Sequence, residues 1–322
     1  MTREEMLAFL GEDWNAVQTI IADALHSDVG LLNLFNADIL AHGGKMLRPI
    51  VSLLMAGACG QINSDSHLYA AASELLHNAT LLHDDVADEA DTRRGIPTMR
   101  SRIGPSRAVL LGDFWLAKAV EVILDAKSAE SVRHIFSKTL SDLAEGEMLQ
   151  LEKSGTADTN EVDYLRIIHC KTASLFETAG LSGAISAGAP QAYVDAAREY
   201  SRALGTAFQI KDDILDYTGD GSLGKPVGID LLEKKITLPL LCAMKGSERE
   251  AEIRKAVLKI DSHPEYYEEI RKFVAERGGV QAAGEVLEEY VGKALKALET
   301  LPATKYTEYL AEIARFNSVR TK

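Results

Sequence analysis

Residues 75–98 read LLHNATLLHDDVADEADTRRGIPT. Leu75, Leu76, Ala79, Leu81 and Leu82 run into three carboxylates, Asp84, Asp85 and Asp88, and Arg93, Arg94 and Gly95 follow. On a helix, positions i and i+4 share a face, so Asp84 and Asp88 project the same way with Asp85 at the margin. Carboxylates gathered on one turn repel each other unless a positive charge sits between them. A hard divalent cation bound through oxygen, Mg²⁺ foremost, answers that need. An acidic run alone is more often a solvated face, and this chain is acidic throughout. Two observations weigh against that here. The residues before the turn are apolar, and the pattern recurs at residues 208–217, FQIKDDILDY, where Asp212, Asp213 and Asp216 keep the spacing among Ile210, Ile214 and Leu215. Two such turns, each ending an apolar helix, read as two walls of one metal-filled cleft.

Outward from these turns, apolar residues recur at three- and four-residue steps and strand alternation is nearly absent, so the chain is expected to be all-α. Leu68, Ala72, Leu75, Ala79, Leu82 and Val86 form a buried stripe on the first acidic helix. Met6, Leu10, Trp14, Val17 and Ile21 do the same in a helix over 2–25. Further helices are expected over 30–40, 47–59, 105–124, 129–151, 162–187 and 190–217, and then over 236–244, 250–260, 266–277, 280–298 and 305–316. With 322 residues, 46% of them hydrophobic, a large core is available. Eight prolines and the lack of a Ser/Gly-rich linker point to one continuous domain over 1–322.

The net charge of −13 argues against a nucleic-acid or anionic-membrane partner. Cys59, Cys170 and Cys242 lack ligand spacing, which fits a reducing compartment without structural disulfides. With no signal peptide and no apolar run near ~18 residues, the expected location is cytoplasmic.

Other candidate groups lie in breaks between helices. In HGGKMLRP, residues 42–49, the glycines permit close backbone approach, and Lys45 and Arg48 stand where a helix begins. That is a phosphate clamp or, equally, an ordinary loop with exposed charges. Lys171 lies among Leu175, Phe176 and Ala179 and so needs an anionic partner or a solvent-filled cleft. Glu145, Glu147 and Glu152 read as a solvated surface, as do Glu268, Glu269, Arg271 and Lys272. Residues 155–160 read as a loop. Residues 219–235, GDGSLGKPVGIDLLEKK, read as a mobile loop carrying Lys225, Asp230 and Lys235, a lid that closes cations over a phosphate.

Taken in chain order, these groups resemble the trans-polyprenyl diphosphate synthases: Gly43-Gly44-Lys45 with Arg48-Pro49, His77, the first acidic turn, Arg93-Arg94-Gly95, Lys171-Thr172, Phe208-Gln209 with the second acidic turn, Gly224-Lys225-Pro226, and Asp230 with Lys235. The resemblance spans about three quarters of the chain. It implies the isoprenoid synthase fold, a single-domain bundle of about ten core helices around a deep central cavity, usually as a homodimer. The implied reaction condenses isopentenyl diphosphate head-to-tail with an allylic diphosphate. In it, Asp84, Asp88 and Asp212 hold Mg²⁺, three ions per active site, and Asp85, Asp213 and Asp216 support them. Arg93, Lys171, Lys225 and Lys235 bind the allylic diphosphate. Thr172 and Gln209 turn oxygen dipoles toward the allylic cation. Lys45, Arg48, His77 and Arg94 hold isopentenyl diphosphate, and released diphosphate takes the final proton.

Three positions bear on how closely the pattern is followed. Met46 stands where the family often has arginine, Lys234 where it often has glycine, and Arg320 matches the basic terminus loosely. The helix before Asp84 acts as a ruler at ~1.5 Å per residue. Small Ala79 and Thr80, with Leu76 deeper, leave room for a medium-to-long all-trans product, with a floor from Phe114, Trp115 or Leu116. Such a product implies transient membrane contact at release. Alternatives are a shorter product of twenty carbons or fewer, a class I terpene cyclase, or a non-catalytic partner subunit.

Overall fold

The fold is taken from a computed structural model that describes residues 2–93, 95–218 and 228–320. It begins with a local signal. The Thr2 hydroxyl accepts from the Glu5 N–H, and the Glu5 carboxylate accepts from the Thr2 N–H, a reciprocal cap that starts α1 (Arg3–Ala24). Next come α2 (Gly30–Ala41), α3 (Leu47–Cys59), α4 (Ser64–Ala87), α5 (Met99–Ile103), α6 (Pro105–Leu124), α7 (Ala129–Thr156) and α8 (Glu161–Ile168). A π-helical turn, His169–Ala173, leads into α9 (Ser174–Ser186) and α10 (Gln191–Thr218). The remaining helices are α11 (Ile229–Leu232), α12 (Leu238–Met244), α13 (Glu250–Leu258), α14 (Glu265–Glu276), α15 (Gly279–Leu298) and α16 (Lys305–Val319). Among the described residues the only strands are β1 (Thr92–Arg93) and β2 (Ile96–Pro97), an antiparallel ribbon turned at Gly95, whose φ of 77° suits glycine. The all-α expectation holds.

By packing, the chain divides into two compact units. The first comprises Met1–Lys138, Leu175–Ser201 and Lys296–Ile313, and the second Thr139–Ser174, Arg202–Leu295 and Ala314–Lys322. The dividing points fall in or beside helices, with no linker between them.

In the first unit, α4 packs on α1, α3 and α6. The α1 stripe of Met6, Leu10, Trp14, Val17 and Ile21 is buried as its spacing predicts. Helix α3 is buried all round from Pro49 to Cys59, as an apolar helix must be at the centre of a bundle. Trp115 on α6 is fully buried, and its indole N–H donates to Asn36 Oδ1 at 2.8 Å. In the second unit, Tyr164, Ile168, Ile210, Ile214, Leu287 and Val291 close one core around α8, α10 and α15. Leu231, Leu240, Ile253, Ile270 and Phe273 close another around α11–α14.

Three local readings need correction. The helix expected over 129–151 continues to Thr156 and ends where Ala157 turns left-handed, at φ 49°. The helix expected over 162–187 is interrupted by the π-helical turn, which periodicity does not signal. The loop expected over 219–235 contains a helical turn, α11, that carries Asp230. Among the described residues no helix is long and apolar enough to cross a membrane.

Candidate active site

The site residues of the first unit cluster where α4 ends. Asp84 and Asp85 lie in its last turn, and Asp88 caps it. Acidic groups at a helix C-terminus oppose the macrodipole, so their placement there needs another justification than helix stability. Asp85 is 6% exposed, and Arg93 on β1 donates Nε–H to its Oδ1 at 2.7 Å. Burial raises the Asp85 carboxyl above its ordinary range, the Arg93 charge opposes that, and Asp88 adds to it. Asp85, expected at the margin of the acidic face, is the anchored member. Asp84 is half-buried and Asp88 exposed. The ribbon thus returns Arg93 to the carboxylate eight residues before it, which fixes one arginine of the Arg-Arg-Gly run. Arg94 lies outside the described residues.

Lys45 is exposed, and the Arg48 guanidinium stacks on the Phe176 ring with 4.6 Å from Cζ to the centroid. Met46, where arginine is frequent, is left-handed at φ 49° and sets the start of α3. His77 is part-buried on α4, with the Thr80 hydroxyl donating to its carbonyl at 2.8 Å. Ala79 and Leu76 are buried. A cavity of about 160 Å³ in this unit is lined by Ile21, Ile39, Leu40, Met46 and Trp115. On α4 its lining residues are Glu74 and Asn78, so this cavity lies beside another face of the ruler helix than Ala79 does.

The second unit gathers Lys171, Thr172, Gln209, Asp213 and Asp216. Lys171 and Thr172 sit in the π-helical turn, closed by the Ser174 N–H donating to the His169 carbonyl. Wide turns of this kind are frequent at functional sites. Gly146 on α7 lets that turn approach: a Cβ there would stand 2.6 Å from Cys170 Cβ. The next residue, Glu147, forms the ion pair with Lys171. Glu147 was expected to be solvated; it is part-buried because it answers the lysine.

The Thr172 hydroxyl donates to Gln209 Oε1 at 2.7 Å, and Gln209 Nε2 donates to Asp213 Oδ1 at 2.9 Å. The other oxygen, Asp213 Oδ2, accepts from the Tyr164 hydroxyl at 2.6 Å. Asp213 is 2% exposed. Burial pushes its carboxyl well up and the nearby Asp230 adds to this, while the bonds from Tyr164 and Gln209 pull it back.

Asp216 accepts from three backbone N–H groups, those of Gly228 at 3.2 Å, Ile229 at 3.1 Å and Asp230 at 3.3 Å. Burial, then the Asp230 charge, pushes it up to about 7 against those bonds. Asp212 is 43% exposed and pairs at 2.8 Å with Arg320, itself 5% exposed by side chain. That arginine also stacks on Phe208, donates to the Phe208 carbonyl at 3.0 Å and to Asn317 Oδ1 at 2.9 Å. Lys235 pairs with Glu233, and Lys234 is left-handed at φ 59°, the conformation its frequent glycine would supply freely. Lys225 lies outside the described residues.

Of the residues expected from sequence, Thr172, Gln209 and Asp213 are therefore joined, as are Asp85 and Arg93. Tyr164 and Glu147 were not foreseen as partners. Tyr164 is seven residues before Lys171, two turns back on the same helical run, and that spacing was the available signal. Among the described residues no three His, Cys, Asp or Glu side chains converge as a ready-made metal cage. The donor set still suits Mg²⁺. It consists of carboxylate oxygens alone, and Mg²⁺ takes one or two carboxylates and completes its shell with waters and substrate phosphates.

Residues 30–276 match the polyprenyl synthetase family. The chain is 39% identical over 317 residues to the all-trans-nonaprenyl-diphosphate synthase (geranyl-diphosphate specific) of Rhodobacter capsulatus, covering 97% of this chain and 96% of that one. It is 38% identical over 316 residues to the octaprenyl diphosphate synthase of Escherichia coli, covering 98% of each. Its fold is similar to that of a polyprenyl synthase from Caulobacter crescentus, solved in complex with calcium and isoprenyl diphosphate. That match has a TM-score of 0.91 and 36% identity, and covers 100% of this chain and 98% of the other. This chain belongs to the polyprenyl synthetase family and is a prenyltransferase.

Proposed function

We propose that the protein adds isopentenyl diphosphate units head-to-tail to an allylic diphosphate and makes a medium-to-long all-trans polyprenyl diphosphate. The observation that carries this reading is the bonded pair Thr172–Gln209 beside the second acidic turn. It is an arrangement of oxygen dipoles and carboxylates suited to stabilising positive charge. The names of the Rhodobacter and Escherichia relatives support the product class.

In this reading Asp84, Asp88 and Asp212 hold Mg²⁺, three ions in all. Bound there, Mg²⁺ neutralises the charge that grows on the departing diphosphate. Arg93, Lys171, Lys225 and Lys235 bind the same diphosphate and add fixed positive charge where the leaving group forms. The C–O bond of the primer breaks with its electron pair going to diphosphate. Thr172 and Gln209 then face the allylic cation with oxygen lone pairs. Lys45, Arg48, His77 and Arg94 orient isopentenyl diphosphate so that its double bond attacks the cationic carbon. A proton leaves the adjacent carbon for the released diphosphate, and the new double bond forms. Asp85 serves by fixing Arg93, and Asp216 by fixing the turn at 228–230. Ala79, Thr80 and Leu76 set the depth available to the growing chain.

The working form in this reading is a homodimer of one continuous domain, located in the cytoplasm, with transient membrane contact when product leaves. The test is to supply purified protein with Mg²⁺, isopentenyl diphosphate and farnesyl diphosphate and size the dephosphorylated products by mass spectrometry. A ladder ending well beyond twenty carbons supports the whole reading. A product stopping at twenty carbons overturns the length, and farnesyl diphosphate consumed without elongation overturns the reaction.

A further inference from the structure

The line of bonds behind Thr172 has a direction, and one residue outside the expected set imposes it. Both Asp213 oxygens are met by donors, the Tyr164 hydroxyl on one and the Gln209 amide N–H on the other, so Asp213 serves here as an acceptor at both ends. Asp213 therefore draws the Nε2–H of Gln209 toward itself at 2.9 Å and leaves Oε1 at the far end of the amide. That oxygen takes the Thr172 hydroxyl proton at 2.7 Å. Every dipole in the line then lies with its negative end away from Asp213, and the lone pairs of Thr172 Oγ1 and Gln209 Oε1 remain for a cation. Reversed, the same two side chains would offer N–H and O–H groups to positive carbon, which repel it.

The direction survives only while Asp213 is held. Its second oxygen is bonded at 2.6 Å by Tyr164, a residue of α8 that is 3% exposed. Tyr164 Oη and Gln209 Nε2 grip the two ends of the carboxylate, so its plane is fixed in a site with 2% exposure, where water does not replace a lost donor. We infer that Tyr164 is a positioning residue for the elongation reaction. Acting through Asp213, it locks the Gln209 amide and the Thr172 hydroxyl with their oxygens toward the allylic cation. The inference rests on the prenyl-transfer reading and adds a residue to it that touches neither diphosphate.

The test compares Tyr164→Phe and Asp213→Asn with a control, Tyr200→Phe. The control deletes the same atom from another fully buried tyrosine, one whose hydroxyl donates to the Leu310 carbonyl at 2.7 Å. Single-turnover condensation rates, KM for each diphosphate and melting temperatures are measured on all four proteins with farnesyl and isopentenyl diphosphates. Tyr164→Phe is expected to slow condensation about tenfold with both KM values unchanged. Asp213→Asn, which lets the amide line reverse, is expected to slow it further. Tyr200→Phe is expected to lower the melting temperature and leave the condensation rate as it was. The inference is overturned if Tyr164→Phe matches Tyr200→Phe in rate, if its loss appears in KM, or if Asp213→Asn condenses at the wild-type rate. Failure of the wild-type protein to elongate at all would instead overturn the underlying reading, so the two failures are separable.

Discussion

The two acidic turns have the same spacing and different neighbours. The first ends α4 with Asp88 exposed and Asp84 half-buried, and only Asp85 is drawn inside, by Arg93. The second lies within α10, and each of its carboxylates already has a partner: Arg320 for Asp212, Tyr164 and Gln209 for Asp213, three backbone N–H groups for Asp216. One spacing thus serves two purposes. The first turn sets its carboxylates at the unfavourable end of a helix dipole, with Asp88 exposed to solvent. The second uses carboxylates to organise the protein around itself.

Substitutions should separate those purposes. The largest expected effect is Asp84→Ala, which should lower turnover by about 10²–10³-fold, comparable to removing one preorganised electrostatic group, with little change in melting temperature. Near-normal turnover with Mg²⁺ would remove the distinction between the turns. Asp216→Ala should act mainly on stability. It deprives the Ile229 and Asp230 N–H groups of their acceptor, while the Gly228 N–H keeps the Asp216 carbonyl at 2.9 Å, a loss of about 2–4 kcal/mol that thermal or urea unfolding would register. If Asp216→Ala left the unfolding midpoint in place, the second turn would not be the organiser described above.

A pH series sharpens the contrast. Asp216 is raised to about 7 in the folded protein, so the native state binds its proton more tightly than the unfolded chain. Its contribution to stability is therefore full below the ordinary carboxylate range and is lost as pH rises through about 7. Metal-free protein should become easier to unfold across that window, and Asp216→Asn should flatten the slope. The smallest effect is expected from Arg320→Gln. Freed of its counter-ion, Asp212 should hold a cation more readily, so that half-maximal activity comes at about two- to threefold lower Mg²⁺ concentration. An unchanged or higher Mg²⁺ requirement would mean that Arg320 does not compete at Asp212.

Much of this was legible in the chain. Helix α3 matches the expected 47–59 and α6 the expected 105–124, because in both an apolar period is bounded by glycine or proline. Lys171 was read as needing an anionic partner or a solvent-filled cleft, and it has Glu147. What stayed hidden depended on contact across distance. Nothing in the spacing of Glu147 distinguishes it from Glu145, which pairs with Arg166 at the surface. Gly146 makes the difference, by allowing α7 to approach the turn that carries Lys171. Asp216 gave the same difficulty. Its role depends on where residues 228–230 return, and the spacing of carboxylates carries no trace of that.

The π-helical turn at His169–Ala173 has a consequence for how this gene can change. A turn closed from residue i to i+5 holds one residue more than an α-turn, so everything after it is rotated by about 100° relative to an uninterrupted helix. Losing one codon there would restore a regular helix and swing Lys171 and Thr172 against the side chains that follow them. Most substitutions in the segment alter a single contact; a one-residue deletion would break the phase between the two halves of the helix. The segment should therefore accept changes of letter far more readily than changes of length.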